Sequence, residues 1–175
     1  MMLNGIRYDE KDLFRRLEEL SIKFKTLTHP PLRTVTESKS LLAQLPGSHI
    51  KNLFLRDKKR TYFLLTAAQN RHIDLKKLRS AIGAKGTLSF GSHDSLMKLL
   101  GVEPGAVTPF GVMNDQDKNV SAFLDKSLIE TPTINAHPLR NDMTITLNIN
   151  DLLKFMIAEN HCPVLIDFDE ISGFL

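Results

Sequence analysis

Leu13, Leu17 and Leu20 share one helical face, and Lys11, Arg15, Arg16, Glu18 and Glu19 fill the other. This pattern predicts an amphipathic helix capped by Asp9. Lys23 to Thr28 predicts a strand, stopped by His29-Pro30-Pro31 because proline lacks an amide donor and restricts its predecessor. Thr36 is placed to cap a second helix ending at Pro46-Gly47. Two apolar runs, His49 to Arg56 and Thr61 to Thr66, flank the short polar stretch Asp57-Lys58-Lys59-Arg60, the pattern of a hairpin.

Further on, Asp74 caps a predicted helix with Leu75, Leu78 and Ile82 inward and Gly83 at its end. Thr87 to Phe90 predicts a short strand. Ser92 opens a helix that runs through Leu100 and closes on Gly101. Glu103 to Pro109 is a loop by composition. Phe110 to Met113 and Val120 to Leu124 predict a second hairpin around Asn114-Asp115. Met143, Ile145, Leu147 and Ile149 alternate strictly, the clearest strand signal in the chain. Asn150 is expected to cap a last helix through Glu159, and Val164 to Phe168 a closing strand. Interleaved but irregular elements predict an α/β (α+β) fold: a mixed, largely antiparallel sheet with packed helices. No repeat or linker divides residues 1–175, so one domain is expected.

Composition narrows the classes. A hydrophobic fraction of 42% and a charged fraction of 25% are those of a globular protein. A net charge of +3 permits a nucleic-acid partner without requiring one. The single cysteine, Cys162, rules out an internal disulfide framework and multi-cysteine zinc sites. As a lone thiol before Pro163 it is read as a small buried hydrophobe. The first ten residues lack the apolar core of a secretory leader, and no apolar run could span a bilayer, so a cytoplasmic location is expected.

Signatures of cofactor chemistry are missing. No phosphate-cradling glycine loop, dinucleotide fingerprint, His-Glu-x-x-His or Gly-x-Ser-x-Gly occurs. The six histidines lack metal-ligand spacing, so neither metal nor cofactor is expected. Two segments stand out. Lys51-Asn52 opens the apolar strand ending Leu53-Phe54-Leu55. Taken alone, Lys51 reads first as a solvent-facing strand start, with a cation gripping an anionic or carbonyl oxygen as the functional alternative. Gly105-Ala106-Val107-Thr108-Pro109 reads either as a turn or as a bend presenting bare backbone N–H groups to an ester or ribose oxygen.

Taken in order, His29-Pro30-Pro31, Thr34 to Ser38, Lys51 to Leu55, Gly101 to Asp115 and Asn135-Ala136-His137-Pro138-Leu139 form a specific set. It resembles the YbaK / prolyl-tRNA-synthetase-associated editing family over roughly Tyr8 to Phe168. Within that family it is most similar to the freestanding ProX (PrdX) branch, which deacylates alanyl-tRNA of the proline type. The resemblance implies cofactor-free hydrolysis of an aminoacyl ester at the acceptor end of tRNA, with prolyl-tRNA synthetase as a potential partner. It implies that Lys51 is essential, that Gly105, Ala106, Val107, Thr108 and Pro109 position the ester, and that Asn52, His137 and His29 shape the pocket. The lysine strand and the glycine–proline bend are expected to face one another across a cleft. Gly111 departs from the larger small-apolar residue expected of many relatives.

Arg56, Lys58, Lys59, Arg60 and Arg71 are candidate contacts to tRNA phosphates, though the run also reads as a solvated hairpin tip. Shared motifs leave other specificities open, such as cysteinyl-tRNA of the proline type. A non-catalytic tRNA- or partner-binding module and a Cys162-based thiol enzyme are rivals of other classes.

Overall fold

A computed structural model describes residues 7–32, 39–40 and 43–172. Eight strands form one sheet: β1 (Phe24–Thr28), β2 (Ser48–Arg56), β3 (Tyr62–Ala68), β4 (Ser89–Phe90), β5 (Val120–Asp125), β6 (Thr133–Ala136), β7 (Met143–Asn148) and β8 (Val164–Ile166). Their order is β1-β7-β6-β2-β3-β5-β8, with β4 pairing the end of β2. The β2–β3 hairpin is antiparallel, with Lys51 opposite Ala67 and Asn52 opposite Thr66. Pairings β1–β7, β2–β4 and β6–β7 are also antiparallel, whereas β2–β6, β3–β5 and β5–β8 are parallel.

Helices cover both faces. On one lie α1 (Glu10–Glu19), α3 (His93–Leu100), a 3-10 turn (Pro109–Asn114) and α4 (Ile149–Ala158). Leu13, Leu17, Leu100, Phe110 and Phe155 are fully buried there, and the Phe110 and Phe155 rings meet edge to face at 5.2 Å. On the other face, α2 (Leu75–Ala81) and α5 (Phe168–Ser172) pack over Leu55, Phe63, Leu65 and Phe123. The alternation of β2 assigns its side chains accordingly: Phe54 belongs to the first core and Leu55 to the second.

The caps Asp9, Asp74 and Ser92 and the left-handed Gly83 and Gly101 stand where the sequence places them. Other expectations change. Phe110 to Met113 is a 3-10 turn rather than a strand. Thr108 caps it and Pro109 opens it, and the run is buried all round, so periodicity could not classify it. Val120–Asp125 therefore has no hairpin partner there and lies parallel to β3 and β8. Asn148, not Asn150, caps α4, because β7 ends directly in the helix and Ile149 is its first residue. The strand expected from Thr87 narrows to Ser89–Phe90, and the closing strand stops at Ile166. Strand β6 was not expected; it is four residues long. Cys162 is exposed, and its neighbour His161 is the buried residue. Of the helix expected from Thr36 to Pro46, residues 36–38 and 41–42 lie outside the described residues, Lys39 and Ser40 are helical, and the Ala43 N–H donates to the Lys39 carbonyl.

His161 ties the end of α4 to the turn before β5. Its Nδ1–H donates to the Glu159 carbonyl and Nε2 meets the Asp115 carboxylate at 3.0 Å. Asp115 also accepts from the Asn119 and Val120 amides. Burial opposes both charges, yet the hydrogen bonds win, raising the imidazole pKa above its usual 6.5 and lowering the carboxyl below its usual 3.8. The imidazolium's contribution is full below 6.5 and fades as pH rises through its raised value. The carboxylate's is full above 3.8 and fades as acid takes it through its lowered value. The pair thus contributes most between these limits. Calorimetry of His161→Gln should show its largest loss of melting temperature near pH 5, with the gap to the parent narrowing at pH 8.5.

Candidate functional site

A cavity of about 90 Å³ opens where β2, β6 and β7 converge. Strand β2 contributes His49, Ile50 and Asn52, the β6 segment contributes Asn135, Ala136 and His137, and β7 contributes Thr144; Leu32 and Gln69 complete the wall. Asn52 holds this wall to the glycine–proline bend. Its Nδ2 donates to the Val107 carbonyl at 3.1 Å, and its Oδ1 accepts from the fully buried Thr66 hydroxyl at 2.7 Å. The hairpin register puts Thr66 directly opposite Asn52, so one amide satisfies both strand and loop.

The bend has a second tether. Thr108 Oγ1 donates to the His137 carbonyl at 2.6 Å. His137 Nδ1–H donates to the Met143 carbonyl at 3.2 Å, which leaves Nε2 as the acceptor. Burial, with His29 nearby, pushes the His137 pKa below 6.5, so the ring is neutral at neutral pH. His29 closes the group: its Nε2 accepts from the Thr144 hydroxyl at 3.0 Å.

Gly105 has φ of +89°, the left-handed region that favours glycine, and a Cβ there would meet nothing nearer than the Asn141 amide at 3.9 Å. Glycine therefore serves the backbone path there, and local crowding does not require it. Of the bend's N–H groups, that of Ala106 is spent on the Glu103 carbonyl. Those of Gly105, Val107 and Thr108 donate to no described residue. Pro109 begins the 3-10 turn, and Gly111 packs against Leu100 of α3, away from the cavity.

Lys51 makes its hydrogen bond away from the bend. Strand alternation sends it from the face opposite Asn52, where its Nζ donates to the Arg71 carbonyl. Of this pair it is Asn52 that bonds to the bend. Burial lowers the Lys51 pKa, with the Asp125 carboxylate acting against it. Arg71 is likewise committed elsewhere, to Asp125 at 3.1 Å and Asp169 at 2.9 Å, over the Phe168 ring. Lys58, Lys59 and Arg60 are exposed at the far end of the hairpin. A shallow recess there is lined by Arg56, Lys58 and Arg60 with Thr87 and Ser89.

A family model described as aminoacyl-tRNA editing domain matches residues 29–155. The chain belongs to this editing-domain family. It is 38% identical over 147 residues to the prolyl-tRNA editing protein ProX of Acetoanaerobium sticklandii, covering 83% of this chain and 89% of that one. It is 34% identical over 162 residues to the prolyl-tRNA synthetase associated domain-containing protein 1 of Mus musculus, covering 90% and 95%. A crystal structure titled as a candidate trans-editing enzyme for prolyl tRNA synthetase superposes with a TM-score of 0.69 at 19% identity, over 95% of this chain and 98% of that one; it shares the fold.

Several residues of this editing domain escaped the sequence reading. Thr66, polar within the otherwise apolar run Phe63 to Ala68, is the detectable one, because a buried hydroxyl needs a partner. Thr144 and Gln69 carried no local signal, and Asn135 stood out only within the Asn135-Ala136-His137 motif. Among the described residues no cluster of three or more His, Cys, Asp or Glu side chains could hold a metal, and no helix is long and apolar enough to cross a membrane. The amide bridge can be tested directly. Asn52→Leu should cost about 1–3 kcal/mol in urea unfolding by leaving the Thr66 hydroxyl unpaired. Adding Thr66→Val should recover part of that loss, and hydrogen exchange should speed up in residues 105–109 of the single variant.

Proposed function

We propose that this editing domain is a freestanding deacylase that hydrolyses mischarged tRNA of the proline type, with alanyl-tRNA as its substrate. The observation that carries the reading is the Asn52 bridge, which holds a bend with unspent N–H groups against the wall of a small polar-and-apolar cavity. Cavities for drug-sized ligands are roughly 300–1,000 Å³. At about 90 Å³ this one suits a small aminoacyl group, with the terminal adenosine lying outside it.

Water attacks the ester carbonyl, and charge develops on its oxygen. Donors fixed before the reaction stabilise that charge most effectively. The N–H group of Val107, in a bend held by Asn52 and by the Thr108–His137 contact, suits this role. His137 Nε2 accepts a hydrogen bond from the substrate's amino group or the ribose hydroxyl, and the ribose 2′-hydroxyl assists the water. No step needs a cofactor. Selection rests on size: proline overfills the space that alanine occupies. A second site of this kind removes the smaller amino acid that a synthetase rejects weakly by binding alone. Arg56, Lys58, Lys59 and Arg60 suit phosphates further along the tRNA, so affinity should fall with salt. Prolyl-tRNA synthetase is the expected source of the mischarged substrate.

A deacylation panel tests the reading. Alanyl-tRNA of the proline type should be hydrolysed fastest, ahead of the cysteinyl and seryl forms, and prolyl-tRNA should survive. Hydrolysis of prolyl-tRNA at the alanyl rate would remove the size argument. The His137 acceptor adds a pH signature. Its neutral form is the competent one and its pKa lies below 6.5, so the rate should stay level from pH 8 to 6.5 and fall only in more acidic buffer. His137→Ala should lose that acid limb.

A further inference from the structure

Residues 137–142 connect β6 to β7, and His137 and Thr144, at either end of this connection, line the cavity. The turn reaches the other parts of the site as well. The His137 carbonyl accepts from Thr108 Oγ1 of the bend. Asn141 is the side chain nearest to where a Cβ on Gly105 would stand. The Asp142 carbonyl accepts from the His29 N–H at 3.0 Å. One turn thus sets the place of the pocket histidine, of His29 and of one end of the bend. Its path is a costly one. Leu139 has φ of +66°, the left-handed region that a bulky side chain enters against steric resistance. Such a conformation persists only where its surroundings hold it.

Arg140 supplies the hold. Its Nε and Nη2 donate to the two oxygens of Asp142 at 2.5 and 2.6 Å, and its Nη1 donates to Glu10 Oε1 at 2.8 Å. Glu10 is the first residue of α1, which is anchored in the core by the fully buried Leu13 and Leu17. The guanidinium therefore closes the turn on itself and ties it to a helix distant in the chain. Partly exposed ion pairs are weak singly, but a fork on one carboxylate with a third bond to another fixes geometry. We infer that Arg140, Asp142 and Glu10 form a clamp that positions His137, His29 and the bend for the editing reaction. This rests on the editing reading. The rival role for such an arginine is direct contact with a substrate phosphate, and the two roles make opposite demands on the acids. An arginine that grips phosphate binds as well or better once Asp142 releases it. A clamp fails whichever half of the fork is lost.

The test compares Arg140→Met, Asp142→Asn and Glu10→Gln in the full chain. Steady-state deacylation of alanyl-tRNA is measured at several salt concentrations, and exchange of the His29 backbone amide is followed. Arg140→Met and Asp142→Asn should each lose about tenfold or more in kcat, with KM within about twofold and an unchanged salt slope. Their double variant should be little worse than the poorer single, because both remove one contact. Glu10→Gln keeps an oxygen to accept from Nη1 and should lose less than about threefold. Exchange at His29 should quicken in Arg140→Met and Asp142→Asn. Arg140→Met carries the test if Asp142→Asn fails to fold. A raised KM with a shallower salt slope in Arg140→Met, beside undiminished kcat in Asp142→Asn, would overturn the clamp in favour of phosphate contact. Unchanged kcat, or unchanged exchange at His29, in both variants of an active parent would overturn it as well. A parent inactive on every aminoacyl-tRNA would instead overturn the editing reading, and with it the catalytic half of the inference, while faster His29 exchange in the variants would still support the clamp.

Discussion

A single half-buried amide joins the halves of this site. Asn52 accepts from Thr66 and donates to Val107, so the strand hairpin and the glycine–proline bend share one side chain. An amide that is half satisfied in such a place costs more than one never buried. The bend therefore has one low-energy seat against β2. The Thr108 contact to His137 fixes its other end, and the position of the unspent N–H groups follows from these two tethers. Preorganisation here depends on hydrogen bonds between a rigid sheet and an irregular loop, with little reliance on the loop's own conformation.

Strand alternation then separates two residues adjacent in sequence. Lys51 and Asn52 differ by one position and so occupy opposite faces. The pair looks like one motif in the sequence, but it brackets the sheet: the amide serves the bend, and the ammonium serves the turn after β3. Its placement beside a saturated Asp125 also explains why a cation tolerates partial burial there.

The legible parts of the sequence were those with a local physical cause. Caps at Asp9, Asp74 and Ser92, the β2–β3 hairpin and the alternating β7 needed only spacing and side-chain chemistry. The bend was visible because glycine and proline mark unusual backbone. Parallel pairing was not visible, since β5 finds β3 and β8 through contacts distant in the chain. Nor was the 3-10 turn from Pro109, whose apolar residues are all buried and carry no period. The orientation of Lys51 could have been deduced from alternation once Asn52 was given to the bend. Family resemblance grouped the two residues, and geometry divides them.

The β2–β3 hairpin also sets the scale of the substrate. From Asn52 to Arg56 the strand advances four residues, roughly 13 Å at about 3.3 Å per residue. The cations at Lys58, Lys59 and Arg60 lie further still. A free aminoacyl adenosine seated by the cavity would be too short to meet them. A polynucleotide with a charge about every 1.7 Å of duplex axis would not. On the proposed reading, the hairpin measures its ligand: the aminoacyl group is chosen at one end by volume, and the nucleic acid is held towards the other by charge. Size selection alone would admit any small ester. Coupling it to a distant phosphate contact restricts hydrolysis to esters that are still attached to tRNA.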